Sequence, residues 1–172
     1  WLNTHANMPT KQGISSSQMI VRNQQEFLRL PASIAMYHAG LALAVGDVPN
    51  TVTYAWRVLD LVTEDDHVLR GAAAALLGLS FWTSGDLETA HQTYAEGMAS
   101  LKKAGNISDA INGAHTLAAI RIAQGRLHDA MRTYERALQL ASEQGEPQLR
   151  GTGDMYVGMG ELYYERDDLN TA

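Results

Sequence analysis

The chain of 172 residues contains no cysteine and few aromatic side chains, which make up 7% of the sequence. Without cysteine, neither a disulfide framework nor a thiolate metal site can form. Alanine and leucine are frequent instead, and this composition favours packed helices over sheets. The hydrophobic fraction of 45% is sufficient for a sizeable core in a chain of this length.

Basic residues are also scarce, and they are scattered along the sequence. The 13 lysines and arginines are outnumbered by 19 acidic residues, which gives a formal net charge of −6. A phosphate backbone requires clustered cations, so we expect this segment to make no contact with nucleic acid. No apolar run reaches the roughly 18 residues of a membrane span, and the first residues lack the layout of a signal peptide. These absences predict a cytoplasmic protein that has no membrane partner.

Motifs that carry chemistry are missing as well. There is no phosphate-binding glycine loop, and the six histidines show no metal-ligand spacing. We expect His91 and His128, at the starts of helices, to face solvent. The acidic clusters at 64–66 and 165–168 are interpreted as helix caps and solvated turns. No nucleophile, base and orienting group converge, so the sequence predicts no enzyme, no catalytic residue, no metal ligand and no cofactor in this segment.

What the sequence does contain is a repeat. The segment Gly85-Asp86-Leu87-Glu88-Thr89-Ala90 recurs at 125–130, with fainter copies at 46–51 and 167–172, and the start points are 39, 40 and 42 residues apart. A fixed period of this size marks an array in which each unit buries its apolar face against its neighbours. Such an array favours a binding surface over a pocket for chemistry.

Helical patterns flank each copy of this turn. Residues 1–22 contain Pro9, Gly13 and three consecutive serines, and we interpret them as a linker or disordered lead-in. Residues 23–172 form the predicted repeat domain. Its helices are expected to span about 24 or 31 to 45, 49–62, 67–83, 87–103, 108–123, 127–143 and 147–166, with no strand pattern between them. The fold class is therefore all-α, a superhelical array of antiparallel helix hairpins with a period of about 40.

Small and large residues occupy fixed places in these units. When the glycine of each turn is numbered fifteen, Gly78 and Ala118 fall at position eight, Ala90 and Ala130 at twenty, and Gly97 and Ala137 at twenty-seven. Large residues fill positions seven, eleven and twenty-four, although position eleven of the third unit is Arg121. This pattern resembles the tetratricopeptide repeat, in which small residues let two helices approach and aromatics fill the space between hairpins. The first unit departs from it, with His38 at seven and Thr51 at twenty, as a capping unit does.

A spacing near 40 exceeds the roughly 34 residues of the ordinary repeat. The strings GDLETAHQTYAEG, AQGRLHDAMRTYERALQLA and GELYYERDDL resemble the repeats of the MalT-like, LuxR-type transcriptional regulators over about residues 30–172. That family carries a nucleotide-binding module before the repeats and a helix-turn-helix domain after them. The resemblance implies that this chain is a fragment of a longer regulator and reaches DNA only through a domain absent from the segment.

The resemblance also implies a binding groove. In tetratricopeptide arrays the concave face is lined by first-helix positions two, five, nine, twelve and thirteen. Carried over, these positions are Met36, Leu43, Leu79, Trp82, Asn112, His115, Ile122, Asp154, Glu161 and Tyr164. The mixture suits an amphipathic helix or a small effector with an apolar body. We therefore expect a sensor domain that binds a protein or small-molecule effector.

Two alternatives remain open for this segment. It could be a general adaptor that holds a protein partner without any transcriptional role, and Trp82 and Tyr164 could simply pack against the neighbouring hairpin. Self-association is a further expectation, because the chain stops inside a repeat. The face of the last helix with Met155, Met159, Leu162 and Tyr163 is then expected to lack its partner helix.

Overall fold

The computed structural model describes residues 23–144 and 151–165. Within those ranges the chain forms helices only, and the all-α prediction is confirmed. The seven helices are α1 (Gln24–Ala44), α2 (Val48–Leu61), α3 (His67–Thr83), α4 (Leu87–Lys103), α5 (Ile107–Ala123), α6 (Leu127–Glu143) and α7 (Thr152–Glu165).

Glycines with positive φ end the first helix of each complete hairpin. Gly46, Gly85 and Gly125 have φ of 76°, 86° and 72°, a left-handed conformation that a side chain disfavours. Each lies in the turn that the repeated segment predicted. The observed bounds of α1 to α6 agree with the bounds predicted from the sequence to within a residue or two. The predicted start of α7 at Pro147, the lead-in over 1–22 and the last turn at 167–172 lie outside the described residues.

Aspartates begin three of the helices. The side chains of Asp47, Asp66 and Asp86 each accept a hydrogen bond from the backbone amide three residues on, at 3.1, 3.3 and 3.2 Å. These bonds satisfy one of the otherwise unpaired amides of a helix start. The corresponding residues of α5 and α6, Asn106 and Arg126, make no such side-chain bond.

Helices α3 and α4 pack closely on each other. A Cβ placed on Gly78 would lie 2.7 Å from Tyr94 Cβ and 2.9 Å from the Tyr94 amide nitrogen. One on Gly97 would lie 2.8 Å from the carbonyl oxygen of Gly71. Small residues at these repeat positions therefore bring the two backbones together, as the resemblance implies.

Helices pack mainly on their neighbours along the chain. α1 contacts α2 and α3, α4 contacts α3 and α5, and α7 contacts α5 and α6. The first three helices share a core built on Ala39, Val58 and Leu77, whereas the last three share one built on Ile111, Tyr134 and Met155. The molecule is thus a repeat array whose cores succeed one another along the sequence.

α1 is the one helix in the described part of the chain that is long and apolar enough to cross a membrane by length and composition alone. Its 21 residues include Arg29, which interrupts the apolar runs counted in the sequence. In the structure its buried positions are the four alanines at 32, 35, 39 and 42. Of these, Ala35 and Ala39 pack in the core shared with α2 and α3.

The expectation about the last helix is wrong in its choice of face. Met155 and Leu162 are buried, and Met159 and Tyr163 pack against the same core, because this face lies on α5 and α6. The exposed apolar residues of α7 are instead Tyr156, Val157 and Tyr164. Self-association stays a prediction.

Candidate functional site

A groove of about 670 Å³ lies where the first helices of three successive hairpins face one another. We call it the central groove. Its walls come from α1, α3 and α5, and its volume is within the range of small-molecule sites. The lining residues are Met36, Tyr37, Gly40, Leu41, Ala72, Ala75, Leu76, Tyr94, Met98, Leu101, Asp109, Asn112 and Gly113.

Three of these side chains, Tyr94, Met98 and Leu101, come from α4, a second helix. Each is buried, and together they form a small core with Ala75, Leu79 and Leu117. Because α4 packs on both α3 and α5, its side chains fill the space between those two helices. They make the floor of the central groove apolar.

The α1 wall of the groove is exposed and apolar. Tyr37 is 79% and Leu41 is 64% exposed, and they lie one helical turn apart on the same face. The polar lining residues are Asp109 and Asn112 of α5, both exposed. An exposed apolar surface beside a few polar groups suits a ligand whose body is apolar and whose polar end is bound by hydrogen bonds.

A second hollow of about 620 Å³ lies toward the end of the array. We call it the C-terminal hollow, and its lining residues are Ile122, Leu127, Gly160, Glu161, Leu162, Tyr164 and Glu165. The Glu161 carboxylate also has an electrostatic effect on Tyr134 in the neighbouring core. Burial and, to a smaller degree, the Glu161 carboxylate raise the pKa of Tyr134.

The structure divides the ten predicted groove residues between these places. Met36 and Asn112 line the central groove, whereas Ile122, Glu161 and Tyr164 line the C-terminal hollow. The other five line neither of them: Leu43, Leu79, Trp82, His115 and Asp154.

Packing explains the position of Leu79 among these five. Leu79 packs against the core of Tyr94, Met98 and Leu101. The His115 ring lies beside the Tyr134 ring, with centroids 6.2 Å apart. Repeat position alone therefore does not bring the ten residues into one site.

Sequence reasoning missed most of the central groove. Tyr37 and Leu41 carried a usable signal, since an apolar pair at i and i+4 that is not needed in a core marks an exposed stripe. The α4 residues of the floor carried no such signal in the sequence, because position twenty-four is a packing position in every unit. Whether these side chains are exposed to a groove depends on the separation of α3 and α5.

No group of three or more histidine, aspartate or glutamate side chains that could hold a metal ion occurs in residues 23–144 and 151–165. The lining residues of the two hollows offer apolar surface and hydrogen-bonding groups.

Comparison with known proteins agrees with the repeat pattern. A family model described as the MalT-like TPR (tetratricopeptide-repeat) region matches residues 32–172. A search of curated proteins gave no match. The family match spans most of the chain, includes all the glycine turns between paired helices, and confirms the resemblance to MalT-like tetratricopeptide repeats. A repeat fold of this type is a scaffold for interaction, and the chain belongs to the MalT-like tetratricopeptide-repeat family.

Proposed function

We propose that this segment is the sensor domain of a transcriptional regulator and that it binds an effector or a regulatory protein in the central groove. The observation that carries the proposal is an exposed apolar wall, Tyr37 and Leu41, facing an apolar floor in a repeat of the MalT type. The domain works by binding, without catalysis or a cofactor, in the cytoplasm. DNA is contacted by another domain of the parent protein.

Signal transmission follows from how the groove is built. A ligand in it touches helices of three hairpins, and the contact between the second and third hairpins includes α4. If a ligand binds more tightly at one separation of α3 and α5, binding shifts the population toward the curvature of the array that has this separation. Domains attached to the array would then change how they dock.

A fluorescence titration tests the groove. Nile red, a neutral dye that brightens in apolar surroundings, serves as the probe, and candidate effectors are scored by its displacement. The double variant Tyr37→Ala, Leu41→Ala should weaken dye and effector binding by tenfold or more, because it removes the exposed α1 wall. Both residues are largely exposed, so the fold should persist.

The matched control is Trp56→Ala, which removes an aromatic residue of α2 that is 51% exposed and lies outside the groove. It should leave binding unchanged. Equal affinity in the wild type and the Tyr37, Leu41 double variant would contradict the central groove as the binding site. A third variant, Trp82→Ala, tests the groove position that the resemblance implied, because Trp82 does not line the central groove.

The second candidate is a general adaptor that holds a peptide or protein partner and has no transcriptional role. The family type and the exposed groove suit it equally well. The parent gene decides between the two. A phosphate-binding loop encoded upstream and a helix-turn-helix encoded downstream support the regulator, and their absence supports the adaptor.

A further inference from the structure

A second candidate site lies on the side of the array formed by α4 and α6. Four residues of α6 and one each of α4 and α5 enclose a cavity of about 230 Å³, which we call the basic cavity. Its lining residues are His91, Arg121, Asp129, Arg132, Thr133 and Arg136. Three guanidinium groups and an imidazole thus surround one carboxylate in a protein whose net charge is −6.

Arg121 is the unusual member of this cavity. It stands at repeat position eleven, where the neighbouring units carry Phe81 and Tyr163, and its side chain is only 17% exposed. A guanidinium has five N–H donors. Within the described residues, Arg121 donates one hydrogen bond, to Gln124 Oε1 at 2.8 Å. The nearest carboxylate oxygen, Glu88 Oε2, is 3.8 Å away on a side chain that is 73% exposed.

Internal ion pairs do not neutralise the cluster. Glu88 also pairs with Arg126 at 3.4 Å, and Asp129 pairs with Arg132 on the same helix. The two carboxylates thus pair with three arginines, Arg121, Arg126 and Arg132, and no ion pair to Arg136 occurs in the described part of the chain. Unneutralised arginines in a partly enclosed cavity attract an oxyanion, because the planar guanidinium matches carboxylate and phosphate oxygens.

An apolar cleft continues from the basic cavity. It indicates that the oxyanion belongs to a molecule with an apolar body. The cleft measures about 360 Å³, shares His91, Thr133 and Arg136 with the cavity, and is lined mostly by apolar side chains of α4, α5 and α6. His91 is half-buried at the junction, so the expectation that it faces solvent does not hold. The two spaces are contiguous through these shared residues.

We propose that this site binds a small anionic molecule whose phosphate or carboxylate group sits in the basic cavity and whose apolar body lies in the adjoining cleft. The basic cavity shares no lining residue with the central groove, and the adjoining cleft shares only Met98 with it. It provides a second input that does not depend on the function proposed above. A ligand there would contact α4, α5 and α6 together and would brace the second hairpin on the third.

Calorimetric titration of the whole segment with four probes tests the proposal. Hexyl phosphate and hexanoate carry both features, inorganic phosphate has only the oxyanion, and 1-hexanol has only the apolar body. At least one of the first two should bind saturably and tenfold or more tightly than either single-feature probe. Whichever of hexyl phosphate and hexanoate binds more tightly identifies the preferred oxyanion as phosphate or carboxylate. No saturable binding of hexyl phosphate or hexanoate, or equal binding of hexanol, would overturn the proposal.

Variants locate the binding. The side chains of Arg132 and Arg136 are both exposed, so the variants Arg136→Gln and Arg132→Gln should keep the fold. Each should weaken binding of the tightest probe by about tenfold or more, since it removes a charge-assisted hydrogen bond. Arg57→Gln on α2 is the matched control and should bind as the wild type does. The Tyr37, Leu41 double variant should also bind normally, which separates this test from that of the central groove. Unchanged affinity in both arginine variants would refute the assignment.

Discussion

Single glycines set the distance between helices at the residue scale. Gly78 and Gly40 are both inside helices, but only Gly78 faces a neighbouring backbone, and nothing lies within 4 Å of a Cβ placed on Gly40. The sequence predicted a small residue at 78 from repeat position. It could not predict that the neighbour would be the backbone of Tyr94, which depends on how α3 and α4 pack.

Replacing Gly78 by alanine should destabilise the protein by about 1–3 kcal/mol, because the methyl group must displace α4. Gly40→Ala is the control and should be neutral or stabilise by up to about 1 kcal/mol, since alanine suits a helix interior better than glycine. Urea unfolding measures both. A Gly78→Ala protein as stable as the wild type would show that the helices do not approach this closely.

His91 should make stability depend on pH. Its burial and, secondarily, the charge of Arg121 lower its pKa below about 6.5, against the opposing effect of Glu88. The unfolded state therefore binds a proton before the folded state does, and stability is lost as pH falls below about 6.5. Arg126 and Asp129 also face the imidazole, with opposite effects on its pKa.

The free energy of unfolding measured at pH 7.5 and 5.5 tests this. The wild type should lose more stability over that interval than His91→Gln does. His128→Gln, which removes an exposed histidine of α6, should keep the wild-type loss because His91 is still present. An identical pH dependence in the wild type and His91→Gln would contradict the account.

At the scale of helices, the starts of α4 and α5 differ although the repeat is the same. The Asp86 carboxylate accepts from the Thr89 amide at 3.2 Å, whereas Asn106 makes no side-chain cap bond. Asn106 is followed three residues on by Asp109, the spacing of a capping pair, yet its side chain caps no amide. The backbone angles of the two residues are similar, with φ of −83° and −80° and ψ of 77° and 63°, so the difference lies in the side chains.

Asp86→Ala should therefore cost about 1 kcal/mol of stability, and Asn106→Ala should cost much less. Both are short polar side chains at the first boundary of a helix, so they form a matched pair. Thermal unfolding of the two variants beside the wild type measures the difference. Equal losses would mean that the aspartate cap contributes nothing specific.

For the whole molecule, the repeat period predicted the architecture but not the sites. Hairpins could be read from the sequence because glycine turns and helix patterns are local signals. The central groove could not, since its floor of Tyr94, Met98 and Leu101 becomes a surface only through the separation of α3 and α5. The basic cavity was missed for the same reason: Arg121 and Arg136 are 15 residues apart in sequence and meet through the packing of α5 on α6.

Each hairpin is supported by its neighbours alone, and hydrogen exchange of the Val58→Ala variant tests this architecture. Val58 is fully buried in the core shared by α1, α2 and α3, and losing two methyl groups there should cost about 2 kcal/mol. We predict that the free energy of opening falls by about this amount for amides of α1 and α2 and stays unchanged for those of α5 and α6. An equal fall in all the helices would contradict the array and indicate a single cooperative globule.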